Sequence, residues 1–210
     1  MLRKTGLFFT LATALFTPVA IELAHAGAAD DITPPPVPSN LEAPAGQRPY
    51  LIGHAYGTQN YICLPTVSGA AWTFLGPQAT LFDKDGEQLT THFLSPNPVE
   101  NGTPRATWQH SQDTSTVWAA AVASSTDPAY VAPGAIPWLL LQVVGRERGP
   151  TGGATLLKTR FIQRLNTAGG SAPATGCSQS MHIGQRVCVP YTADFFFYRA
   201  TQGHEREDEE

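Results

Sequence analysis

Imidazole, indole and carboxylate are the side chains in this sequence whose chemistry could amount to more than packing. His92, Trp108 and His110 fall in one stretch of chain. Together they offer rings that exchange protons or bind metal and an indole face that stacks on a sugar or another flat apolar surface. They form the candidate ligand-binding site, with Trp108 expected in loop-like polar surroundings beside Gln109 and His110. The rival reading is an extracellular hydrolase or metal-dependent enzyme in which His92 and His110 act with a carboxylate, Asp113 or Asp194. It requires at least two histidines and an acid to meet within hydrogen-bond reach in a cleft.

Other chemistries find less support. No Gly-x-Ser-x-Gly elbow exposes a serine nucleophile, so Ser111, His110 and Asp113 read as the polar groups of a turn. His54, His92 and His110 lack His-x-His or Glu-x-x-His spacing, and no residue is assigned as catalytic or as a metal ligand. Asp83-x-Asp85-Gly86 opens like a calcium loop but lacks the later glutamate and flanking helices; it is read as a hairpin turn. Residues 145–153 contain glycines with no following helix to bring amides to a pyrophosphate, so a nicotinamide-dependent dehydrogenase is excluded and no cofactor is assigned.

The elements that would position these residues are strands. Charged residues make up 14% of the chain, well below the usual ~25%. Glycine, proline and aromatics are plentiful, which suits short strands and turns better than exposed amphipathic helices. Strands are expected over residues 50–56, 59–64, 79–82, 88–93, 117–123, 136–144, 155–165 and 186–198, with 69–74 as the helical candidate. Asp83-Lys84-Asp85-Gly86 supplies the positive φ of a tight hairpin, and turns are expected at 97–102, 124–128 and 168–170. The expected fold is all-β, a sandwich or partly closed barrel of about eight or more short, mainly antiparallel strands.

The ends of the chain differ from its middle. Arg3 and Lys4 precede a nearly unbroken apolar run over residues 6–21, and Ala24-His25-Ala26 offers small residues where a signal peptidase looks. Residues 1–26 are therefore read as a cleaved signal peptide, Pro18 and Glu22 keeping the run below the roughly 20 residues of a span. The product is expected to be exported, to the periplasm or beyond the cell, with no integral membrane segment after cleavage. Residues 27–38 read as a Pro-rich linker, 39–200 as one β-rich domain and 201–210 as an acidic disordered tail. Residues 27–203 hold 11 acids and 10 bases, while the tail adds five acids against Arg206. A near-neutral domain gives no electrostatic case for nucleic acid. The expected partner is a small molecule, glycan or surface component. Asn101-Gly102-Thr103 fits the glycosylation sequon, which matters only in a eukaryote.

Cys63, Cys177 and Cys188 suit an oxidising compartment, and on the residues alone any of three pairings is open. Val37-Pro38-Ser39-Asn40-Leu41, Gly76-Pro77-Gln78-Ala79-Thr80-Leu81-Phe82-Asp83, Ile136-Pro137-Trp138-Leu139-Leu140 and Ile162-Gln163-Arg164-Leu165-Asn166-Thr167 resemble the DUF3455 family. So do Gly169-Gly170-Ser171-Ala172-Pro173, Gly176-Cys177 and Val189-Pro190-Tyr191-Thr192-Ala193-Asp194-Phe195-Phe196-Phe197-Tyr198. The resemblance covers roughly residues 37–199 and implies an exported bacterial or fungal protein with no established activity. Family members carry cysteines matching Cys63 and Cys177, which implies a bridge between these two and leaves Cys188 as this chain's addition. The name malate dehydrogenase that some members carry fails here for want of the dinucleotide-binding unit.

Overall fold

The computed structural model describes residues 32–178 and 180–201. The expected signal peptide, the first part of the expected linker, and the tail beyond Thr201 lie outside the described residues. The chain is all-β. Its eight strands are β1 Gln47–Thr66, β2 Gly69–Phe82, β3 Gln88–Asn97, β4 Thr103–His110, β5 Thr116–Ser125, β6 Trp138–Glu147, β7 Phe161–Gly169 and β8 Arg186–Ala200. Each pairs antiparallel with the next, and β8 returns to β1, so the sheet is a closed barrel. Closure removes the open edges that an eight-stranded sheet would otherwise expose.

Four expected elements need correction. The strands expected at 50–56 and 59–64 are one strand, because Gly57 is no turn: a Cβ there would lie 2.5 Å from the Ala79 Cβ, so glycine permits close approach of β2. The helical candidate 69–74 is the first part of β2, its residues paired in register against 61–66 of β1. Local propensity yields here to the cross-strand partner. Strand β4 was expected as loop, yet Ala106, Trp108 and His110 alternate inward against β3. Finally, β7 begins at Phe161 rather than 155, since residues 155–158 form a turn.

Strand alternation sorts the apolar side chains into two clusters on opposite faces of the wall. Inside lie Leu81, Trp108, Val117, Ile162, Phe195 and Phe197 with smaller neighbours. On the outer face Trp138, Leu140, Leu165, Phe196 and Tyr198 pack under Leu41, with Ile32 and Val37 of the proline-rich stretch resting against them. Gln163 Nε2 donates to Leu41 O at 2.6 Å and its Oε1 accepts from the Tyr198 hydroxyl, so the covering segment is hydrogen-bonded as well as packed.

The two ends of the barrel are built differently. One end is closed by the β6–β7 loop, 148–160, which buries Leu156 completely. Asp113, in the β4–β5 turn, ties this floor: its carboxylate accepts from Ser115 N and Oγ and from Ala154 N, Thr155 N and Thr155 Oγ1, at 2.6–3.0 Å. Beyond the other end, β1 and β2 run on as a long hairpin arm held by the β7–β8 loop. Cys63 is bonded to Cys177 across 114 residues, worth about 4 kcal/mol in the chain-entropy model. Trp72 Nε1 donates to Thr175 O at 3.0 Å and the Tyr61 hydroxyl to Gly170 O at 2.7 Å. Cys188 is free and exposed.

Candidate functional site

Strand register fixes the first pair of site residues. His92 on β3 lies directly opposite Trp108 on β4, and their rings stack with centroids 4.2 Å apart and planes 12° from parallel. Phe195 of β8 packs tilted against His92 at 5.1 Å and edge-on against Trp108 at 5.5 Å. Both residues are buried inside the barrel, Trp108 fully, which overturns its expected loop-like surroundings. Its polar sequence neighbour Gln109 points to the other face, as alternation requires.

The protonation of His92 follows from its partner. Thr107 O, 2.9 Å from Nδ1, can only accept, so Nδ1 carries the proton and Nε2 keeps its lone pair. Burial, opposed by the Thr107 hydrogen bond and aided by the Arg164 charge, lowers the His92 pKa to about 3. The ring is therefore a neutral acceptor at ordinary pH and a very weak base.

His110 stands one layer nearer the floor, opposite Thr90. Its Nδ1 accepts from Asp113 N and lies 3.2 Å from the Asp113 Oδ1. For Asp113, burial favours the neutral acid, but hydrogen bonds from Thr155 and Ser115 outweigh it and hold the carboxyl well below the usual range. That carboxylate fastens two loops and has little basicity left for proton transfer. Asp194 is on the outer face, where its Oδ1 lies 2.6 Å from His54 Nδ1 and its Oδ2 accepts from Asn166 Nδ2 at 2.8 Å. The structure thus joins His92 to Trp108, sets His110 with Asp113 in the floor, and places Asp194 with His54 on the opposite face. Among the described residues, no three His, Cys, Asp or Glu side chains gather as a metal centre would require.

What surrounds His92 and Trp108 is a cavity of about 240 Å³ in the open end of the barrel, with Gln59, Leu141, Arg164 and Phe195 also in its wall. Arg164 is the residue that sequence reasoning missed. Its signal was present, since in Ile162-Gln163-Arg164-Leu165 the even positions follow Ile162 inward. The guanidinium donates through Nε and Nη2 to Pro137 O, at 3.2 and 2.8 Å. No carboxylate pairs with it among the described residues. Burial lowers its pKa to about 10, which leaves it a cation at neutral pH. Gln59 Nε2, Trp108 Nε1 and the Tyr191 hydroxyl are buried without a hydrogen bond of normal geometry, the Gln59 amide lying close to the Tyr191 hydroxyl. The Tyr191 pKa rises to about 12 through burial, tempered by the Arg164 charge and the neighbouring Gln59 amide.

A second hollow, of about 810 Å³, lies along the wall and includes Tyr56, Asn60, Thr80 and Arg186. The β2–β3 ladder stops at Ala79 and His92, and beyond it the strands part. Pro77, His92 and Leu94 border both spaces at this parting.

No match is found among curated proteins or among solved structures. A family model described as "Protein of unknown function (DUF3455)" matches residues 44–199. Most of the barrel, including every residue of the cavity wall named above, falls within that match, and the chain belongs to the DUF3455 family.

Proposed function

We propose that this is an exported, non-catalytic binding protein whose barrel interior takes a small ligand with a flat or apolar body and an anionic end. The observation that carries this reading is Arg164, a cation at the wall of an aromatic-lined cavity with no counter-charge among the described residues. A desolvated cation with a carbonyl as its hydrogen-bond partner gains more from an oxyanion than an exposed one does, because the interaction is poorly screened. Trp108, His92 and Phe195 back the cavity as a packed aromatic wall, while Gln59 Nε2 and Trp108 Nε1 are donors without a hydrogen bond of normal geometry. The interior of an eight-stranded barrel is either filled by side chains or holds one small ligand, and the cavity of about 240 Å³ left here suits a small one. Aromatic carboxylates and acidic sugars share the required chemistry. Binding is favoured over catalysis because the His92 imidazole is a weak base and the Asp113 carboxylate is committed to the floor. The Cys63–Cys177 bridge and the leader-like sequence support an exported product.

The test is calorimetry and Trp fluorescence with a panel of aromatic carboxylates, uronic acids and their neutral amides. The expected outcome is saturable binding of an acid, with its amide and the Arg164→Met variant at least about tenfold weaker, the usual worth of a charge-assisted bond. Equal binding of acid and amide, or an unaffected Arg164→Met variant, would rule the reading out.

A further inference from the structure

Cations crowd the outside of the floor. Arg48 on β1 stands directly opposite Arg199 on β8, a like-charge cross-strand arrangement that is unfavourable in itself. Lys158, from the floor loop, holds Nζ 4.4 Å from the centre of the Tyr50 ring, and the Arg199 guanidinium carbon lies 5.7 Å from the same centre. Tyr50 is fixed from behind, its hydroxyl 2.7 Å from Thr159 Oγ1 and 3.3 Å from Thr155 O. Arg146 donates to Thr159 O, at 3.2 Å from Nε and 2.9 Å from Nη2.

No carboxylate among the described residues lies within ion-pair distance of Arg48, Lys158 or Arg199, and Arg199 Nε is buried without a hydrogen-bond partner. Asp113 is near enough to act on the Tyr50 hydroxyl, but its oxygens accept from Ser115, Ala154 and Thr155 and form no ion pair with Arg48, Lys158 or Arg199. Burial lowers the Lys158 pKa, and Arg199 and Arg48 lower it further, so the three cations sense one another. Since residues 27–203 are nearly neutral as a whole, the concentration of charge here is local.

We infer that Arg48, Lys158 and Arg199 form a binding site for a phosphate or sulfate group, free in solution or carried on an anionic lipid headgroup. A guanidinium fork and an ammonium point charge are complementary ways of holding such oxygens. The Tyr50 ring attracts Lys158 and Arg199 by its face, a contact that does not use up the Lys158 N–H donors. The site is on the opposite end of the barrel from Arg164 and stands independently of the cavity reading.

Pyrophosphate titrated by calorimetry at low salt tests the free source, and flotation with phosphatidylglycerol vesicles against pure phosphatidylcholine tests the headgroup. The full chain is compared with an Arg48→Gln, Lys158→Gln double variant, whose altered side chains are exposed, its fold checked by circular dichroism. Binding weakened about tenfold or more in the variant, and screened by salt, is expected. Loss seen with pyrophosphate alone assigns the soluble anion, and loss seen with vesicles assigns the headgroup. The inference is overturned if neither probe binds, or if both bind the double variant as they bind the natural chain.

Discussion

Asp113 in the floor of the barrel and Arg164 in its mouth sit in opposite surroundings. In the floor, Asp113 accepts five hydrogen bonds and His110 accepts one from the Asp113 backbone, so both side chains have a structural task. In the mouth, Arg164 has a carbonyl for company, and Gln59 Nε2 and Trp108 Nε1 make no hydrogen bond of normal geometry. Buried polar groups without partners are costly, and Gln59 and Trp108 share the cavity wall with Arg164, which supports the binding proposed above. The contrast separates Asp113 and His110, which build the molecule, from His92 and Arg164, which line the cavity. In a sequence the two kinds look alike.

Three substitutions or conditions probe this contrast, beginning with the largest effect. Asp113→Ala strands the donors of Ser115, Ala154 and Thr155 and should cost about 3 kcal/mol in urea-induced unfolding. A loss below about 1 kcal/mol would mean that the floor is not held by its carboxylate.

The second concerns pH. The unfolded His92 imidazole takes a proton near pH 6.5, while the folded ring resists until about pH 3. The unfolded state binds more protons in that window, so this residue's contribution is fully present above pH 6.5 and declines as pH falls towards 3. The slope approaches about 1.4 kcal/mol per pH unit. His92→Phe, which keeps a ring against Trp108, should flatten the stability profile between pH 6 and 4. An unchanged slope would show that the burial of His92 is not what resists protonation.

The smallest change is expected at Arg164. Because it has no counter-charge to abandon, Arg164→Met should alter stability by no more than about 1 kcal/mol in either direction, while removing the anion response. If denaturation showed it to be as damaging as Asp113→Ala, the mouth would have to be reclassified as structure.

Much of the barrel was legible in the sequence and less of the site. The Asp83 hairpin is as read: Asp83 Oδ1 accepts from Asp85 N and Glu87 N, and Gly86 has the positive φ the turn needs. The expected number of strands agrees with the observed eight partly by compensation, since β1 was divided at Gly57 and β4 was overlooked. Gly57 misleads because the same residue serves turns and close strand approach. Trp108 misleads because Gln109 and His110 beside it look solvent-facing, although a strand sends neighbours to opposite faces. The stacking of His92 on Trp108 depends on β3–β4 register, and the entry of Arg164 into the same space depends on barrel closure. Neither is a property of local sequence. The Cys63–Cys177 bridge, by contrast, was implied by the family resemblance and is present.

Closure also has a consequence in time. Seven of the strand pairings join neighbours along the chain and can form as hairpins, but the eighth joins β1 to β8 across most of the domain. It is the slow step by topology, because its ends must meet over a long loop before any contact rewards them. It must also wait for the last strand to be synthesised. Cys177 emerges before Arg186, so an oxidised Cys63–Cys177 bridge would hold β1 near the site where β8 arrives and shorten the search. A chain cut short before β8 would keep two raw edges and an exposed interior, a form prone to self-association. Completion of the barrel is therefore a checkpoint at which a finished chain and a broken one part company.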